Sequence, residues 1–195
     1  MTTAAKPYHH GNLRESLLLA AEDLLAQRGE AALGLREVAK AAGVSHAAPY
    51  HHFAGRDELL AAVAERAFVG LADAMEVAAR VPDPHERLLC ICEAYVEFAQ
   101  SRPAPFRLMF GPVLAKKHEH ADLRQAAERA FRVLVQAAVE YSPAEGAALA
   151  LTGWSLAHGL ANLLIDGAFD GLPISVPEAS VLARSMAYKL LGAPR

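Results

Sequence analysis

The sequence predicts an all-α fold, and three observations carry that prediction. Hydrophobic residues make up 53% of the chain, much of it Ala and Leu, which are strong helix formers. Apolar residues recur three and four apart in segment after segment, the period of a helix with one buried face. Start and stop signals stand between those segments: Asn12 with Glu15, Asp83-Pro84 with Glu86, Ser142-Pro143 with Glu145, and glycines at 29, 43 and 111. At 195 residues the chain has length for one domain or two and material for a sizeable core.

Residues 1–11 form a polar arm with Lys6, Tyr8, His9 and His10. It serves either as a frayed terminus or as an arm that touches phosphate or minor groove. A capping box of Asn12 and Glu15 then opens the first helix, with Leu13, Leu17, Ala20, Leu24 and Leu25 as its stripe up to Gly29. The second helix runs from near Gly34 to Gly43, where a glycine takes φ > 0 without side-chain strain and lets the chain turn sharply. Ser45 reads as an N-cap, with His46 to His52 as a short helix of about two turns. Two short helices across such a turn, here residues 34–53, make a helix-turn-helix, whose second helix is shaped for a DNA major groove.

Ala39, Gly43-Val44-Ser45, Tyr50, the His52-Phe53 pair and Arg56-Asp57-Glu58-Leu59-Leu60 keep an order and spacing that resembles the tetracycline-repressor (TetR) family of bacterial regulators. The resemblance covers about the first seventy residues. It implies a three-helix DNA-binding head on a larger helical body for ligand binding and dimerisation, about nine helices in all. Two positions depart from the family pattern. Gly34 stands where a phosphate-binding Ser or Thr is usual, and Pro49 where an inward-packing Leu-like residue is usual.

The groove side of the second helix carries Ser45, His46, Ala47, Ala48, Tyr50 and His51 as candidate DNA contacts. Ala47 and Ala48 permit close approach and methyl contact with thymine, while the histidines donate to bases or phosphates. Tyr50 suits a phosphate through its hydroxyl. Arg36, one turn into the second helix, and Arg56, at the start of the fourth, are further phosphate candidates. His52 reads as surface cover or as packing under the fourth helix.

That fourth helix extends from Arg56 to about Arg80, some 36 Å at 1.5 Å per residue. Val81-Pro82-Asp83-Pro84 breaks the chain and starts a buried helix over 84–101. These breaks place a DNA-binding domain at residues 11–71 and a ligand-binding and dimerisation domain at 84–192. Phe106, Met109 and Phe110 precede the stop at Gly111-Pro112 and suit either core or the wall of an apolar pocket, as do Tyr95 and Phe98. Further helices are expected from about 119 to 140, from Ser142 to about Gly167, and from a cap at Ser175 and Glu178. The 142–167 helix is apolar nearly all round, so it is expected to be buried on more than one side, with Gly153, Ala157 and Ala161 permitting close approach. Trp154-Ser155-Leu156-Ala157-His158-Gly159 is similar to a TetR subgroup named for Trp, His and Gly. Trp154 and His158 share a helix face, as effector-holding residues or as a packed pair. The last two helices resemble the family's dimer bundle.

Net charge is −3, and residues 1–70 hold seven Lys/Arg against eight Asp/Glu, so any DNA contact must be local. Five of the nine histidines lie in that stretch. Cys90 and Cys92 face opposite sides of one helix and read as buried reduced thiols. His118 and His120 lack further ligands nearby, so neither a metal nor a cofactor is expected. No nucleophile elbow, HExxH, Glu-x-x-His pair or phosphate loop is present, so enzyme activity is not expected. The N-terminus lacks the apolar core of a secretory leader, and 147–165, the stretch nearest to a membrane span, has polar interruptions. A cytoplasmic homodimer is expected, paired through its last two helices, with operator DNA and a mainly apolar effector as partners and no membrane. The other reading is an apolar-ligand carrier without specific DNA regulation. Because imidazole titrates near neutrality and phosphate favours its charged form, operator affinity should rise as pH falls from about 7.5 to 6. Binding titrations at fixed salt check this, and no change or a fall contradicts it.

Overall fold

In the computed structural model, which describes residues 13–193, every regular element is helical. Eight helices have seven residues or more, and a ninth is a single turn. The N-terminal arm and the Asn12 end of the expected capping box lie outside the described residues. The chain groups into two compact units that divide between Val63 and Ala64, inside one continuous helix.

The first unit contains α1 (Leu13–Arg28), α2 (Leu35–Ala41) and the opening of α3 (Arg56–Ala78). Its core is built from Leu17, Leu33, Val38, Phe53, Leu59 and Val63, each under 2% exposed. α2 begins at Gly34, whose extended backbone (φ −114°) fits an N-cap, and no side chain completes the cap. Its far end is closed by backbone alone. Gly43 sits at φ 69°, its N–H donates to Lys40 O (3.2 Å), and the Val44 N–H reaches Ala39 O (3.0 Å). This is the Schellman pattern, which satisfies carbonyls that the helix end leaves open. Val44 is half-buried.

The segment after the turn corrects the sequence reading. Ala48–His51 is a four-residue 3-10 helix with Ala47 at its N-cap, and Ser45 supplies no side-chain cap. Pro49 is the physical cause. It has no N–H to give Ser45 O, its ring crowds an α-helical carbonyl four residues back, and it biases Ala48 away from α geometry. The chain therefore tightens to three-residue bonds: Ala48 N to Ser45 O, Tyr50 N to Ala47 O, His52 N to Pro49 O. Pro49 itself is buried.

The second unit holds the rest of α3 and α4 (Pro84–Ser101), α5 (Pro103–Met109), α6 (Pro112–Ala115), α7 (Ala121–Tyr141), α8 (Gly146–Ile165) and α9 (Ala179–Leu191). α4 packs against α7, α8 and α9. Its span matches the expected one, and Asp83 caps it by accepting from Glu86 N (2.8 Å). Glu86 leaves the expected box half made, because its carboxylate pairs with Arg184 on α9. The thiols are half-buried rather than buried: Cys92 donates to Ala183 O (3.7 Å) and Cys90 to Glu86 (3.8 Å).

Two helix starts also differ from expectation. α8 begins at Gly146 rather than Ser142, and Ser142 instead ends α7. α9 begins at Ala179 after Glu178, with no side-chain cap, and Ser175 lies exposed outside it. The α8 start is set by packing: a Cβ on Gly146 would stand 2.6 Å from Val139 Cα on α7. α8 carries no Asp, Glu, Lys or Arg and is long and apolar enough to cross a membrane by composition. Only one of its faces is buried here, through Ala150, Ala157, Leu160 and Ala161, while Leu151 and Leu163 are exposed. Gly153 meets nothing within 4 Å of an added Cβ. Gly146→Ala should lower the unfolding free energy by about 1–3 kcal/mol, because the methyl meets backbone that cannot rotate away. Denaturant unfolding measures this, and Gly153→Ala should be neutral or mildly stabilising in the same assay.

Candidate functional site

In the first unit, the turn around Pro49 determines which side chains face outward. Pro49 is buried, while Ser45, His46, Ala47, Tyr50 and His51 are exposed and Ala48 is half-buried. Six of the eight candidate DNA contacts thus fall on one short stretch, with Tyr50 53% exposed despite its size. Arg36 is exposed on the first turn of α2. His52 is half-buried with its ring 6.5 Å from that of Phe53, in keeping with the packing role.

Arg56 is engaged elsewhere. Its Nε donates to Leu33 O (2.9 Å), and its Nη2 donates to Glu30 O (2.9 Å) and lies 3.5 Å from Glu30 Oε1. The guanidinium fork therefore clasps the 3-10 turn Glu30–Ala32, which leads into α2. At the same helix end Glu58 accepts from Ala54 N. Glu30 was not singled out from sequence, since nothing local links it to a residue 26 positions away.

The second unit contains a cavity of about 320 Å³, near the lower end of the usual range for ligand sites of about 300–1,000 Å³. α3, α4, α7, α8, α9 and Phe110 wall it. Of the seven residues expected to hold a ligand, Tyr95, Phe110 and Trp154 are on the wall. Phe98, Phe106, Met109 and His158 are not, and they take the packed alternative that the sequence leaves open. Phe106 and Met109 are fully buried behind the wall, and Phe98 packs under Gly70 and Arg102. The wall gains residues that sequence spacing did not mark: Phe68 on α3, Ile91 on α4, Phe131 on α7. A face-by-face reading of α3 and α7 toward α4 was the available signal for them.

His158 acts from behind the wall. Its Nδ1 lies 2.9 Å from Tyr95 Oη, and Trp154 Nε1 donates to the same oxygen at 3.3 Å. The imidazole is wedged among rings, with centroids 4.5 Å from Phe110 and 5.5 Å from Phe106. Burial pushes His158 below its ordinary value and pushes Tyr95 above its own, so both stay neutral near pH 7. Burial likewise raises the Cys92 thiol, also on the wall, to about 12. Among the described residues, no three His, Cys, Asp or Glu side chains gather so as to hold a metal ion.

Residues 17–63 match the family described as bacterial regulatory proteins, tetR family, and residues 88–186 match the tetracyclin repressor-like C-terminal domain. The chain is 36% identical over 98 residues to the HTH-type transcriptional activator FasR of Mycolicibacterium smegmatis, covering 50% of this chain and 45% of FasR. It thus spans about half the length of the curated relatives it matches. Among solved structures, a protein of unknown function from Rhodococcus sp. RHA1 superposes with a TM-score of 0.79 at 30% identity, covering 96% of this chain and 97% of that one. The TetR family transcriptional regulator PfmR from Thermus thermophilus gives 0.63 at 26% identity, with 92% and 99% covered. One of the two matching domains spans half of the sequence by itself, and the other covers the helix-turn-helix: the chain belongs to the TetR family of DNA-binding transcriptional regulators.

Proposed function

We propose that the protein is a ligand-controlled repressor that binds a palindromic operator as a homodimer and releases it when a small, mainly apolar effector enters the cavity. The observation that carries this reading is the pairing, in one chain, of an exposed Ser45–His51 surface with an apolar-walled cavity. In this reading residues 11–71 are the DNA-binding domain, residues 84–192 are the ligand-binding and dimerisation domain, and the protein works in the cytoplasm. His46, Ala47, Ala48 and His51 meet base edges and nearby phosphates. Ser45, Tyr50 and Arg36 fix register on the phosphates. Arg56 contributes through its clasp on the approach to α2.

The dimer reading is supported by apolar side chains on the last two helices. Leu163 of α8 and Val181 and Tyr188 of α9 are 46–55% exposed. A second copy covering that face supplies the second side of burial that the composition of α8 calls for, with protein rather than lipid as its neighbour. The effector must favour the state that cannot hold DNA, and a fivefold to hundredfold loss of operator affinity needs only about 1–3 kcal/mol of coupling. The match to FasR, an activator, favours a second reading in which the bound dimer turns transcription on. A reporter driven from the recovered operator separates the two.

Selection from random duplexes should recover a palindrome, and sedimentation should give a dimer. Tyr50→Phe should weaken operator binding about tenfold, the loss of one hydrogen bond to a charged phosphate, with the melting temperature unchanged. A monomer that grips every duplex equally overturns the proposal.

A further inference from the structure

We propose that Arg56 is a positioning residue for DNA reading, which ties together the two ends of the helix-turn-helix block and lends no charge to the DNA backbone. This rests on the exposed Ser45–His51 surface being the part that reads DNA.

The segment that leads into α2 needs such a tie. It lies between Gly29, at φ 75°, and Gly34, the N-cap of α2, where no side chain completes the cap. Glycine leaves the backbone more freedom than any other residue, so little within the segment fixes the direction of α2. The bonds inside the turn are local, from Leu33 N to Glu30 O (3.0 Å) and from Gly34 N to Ala32 O (3.0 Å). Leu33 is fully buried and anchors one point. A single apolar anchor leaves the turn able to rotate about it.

Arg56 supplies the tie from the far end of the block. It is the first residue of α3, and its two 2.9 Å bonds, from Nε to Leu33 O and from Nη2 to Glu30 O, join residue 56 to residues 33 and 30. α2, the Gly43 turn and the turn Ala48–His51 all lie between those ends. The bonds close the block into a loop, so that the outward side chains from Arg36 to His51 keep one arrangement.

The same geometry takes the guanidinium away from phosphate. Nε and Nη2 form an edge that holds an oxyanion through two parallel bonds, and here carbonyls occupy that edge. Glu30 Oε1, 3.5 Å from Nη2, adds a negative charge at the same spot. A phosphate would have to displace the clasp and approach that carboxylate.

Salt separates a positioning role from a charge contact. Each phosphate neutralised by a cation steepens the fall of log K with log salt by about 0.9. The full chain is titrated at several salt concentrations with the operator recovered by selection and with a scrambled duplex. Arg56→Ala should lower operator affinity about tenfold, with scrambled-duplex affinity within about twofold and the salt slope unchanged. Arg56→Lys should behave in the same way, because an ammonium keeps the charge but cannot span two carbonyls as a fork. Glu30→Gln keeps both backbone acceptors and should hold the preference for operator. A salt slope shallower by about 0.9 in Arg56→Ala, or operator affinity restored by Arg56→Lys, identifies a phosphate contact and overturns the proposal. Undiminished operator affinity in both Arg56 variants overturns it as well, and so does a loss in Glu30→Gln as deep as theirs. Arg56→Lys decides alone if Arg56→Ala does not fold. Should the unsubstituted protein hold both duplexes equally, the DNA-reading surface itself fails, and the positioning role with it.

Discussion

Around α4 the neighbouring helices present mostly alanine. Ala126, Ala130 and Ala137 of α7, Ala157 and Ala161 of α8, and Ala183 and Ala187 of α9 are all buried. A methyl group keeps a helix surface shallow, so backbones approach closely and the larger side chains of α4, Leu88, Leu89, Ile91 and Val96, fill the space between them. Gly146 extends the same rule to the contact of α7 with α8, where even a methyl is too large. Where the bulky side chains give out, the same small residues leave room. Ala127, Ala130, Ala157 and Ala187 are themselves part of the cavity wall. Close packing and empty space thus have one origin in this unit.

Polar groups inside so apolar a wall must satisfy one another. The chain from Trp154 through Tyr95 to His158 does this with two hydrogen bonds and no net charge. Burial reinforces it, since the shifts of Tyr95 and His158 both favour the neutral forms. The rings of Phe106 and Phe110 hold the imidazole from the sides, which makes residues behind the wall as important to its shape as those on it.

The first unit depends on a different constraint. Pro49 forces a tight turn where an α-helix was expected, and its own burial anchors that turn from inside. The exposed side chains beside it are small, imidazole-bearing or, at Tyr50, phenolic, so the surface carries little fixed charge. α3 belongs to both units as one unbroken helix. Arg56 at its start clasps the turn before α2, and Phe68, Leu71 and Met75 further along reach the cavity wall. This helix is the covalent connection between the two units.

Local signals sufficed wherever the chain is punctuated on its own. Asp83-Pro84 and Arg102-Pro103 delimit α4 to the residue, and Gly43 ends the turn after α2, because prolines and left-handed glycines act within a few bonds. The family resemblance, too, was legible from the block Gly34–Leu60. Long-range contacts decided the rest. Ser142 and Ser175 look like caps in isolation, yet α8 starts where Gly146 fits against Val139, and α9 starts after Glu178. Phe106 and Phe110 are one helical turn apart and chemically identical, but only Phe110 reaches the cavity. Helical spacing tells which residues share a face, whereas the arrangement of five helices around a void tells which of them meet it. The clasp of Arg56 on Glu30 and the bond between Tyr95 and His158 join residues 26 and 63 positions apart, and no sequence pattern specifies such distances before the chain has folded.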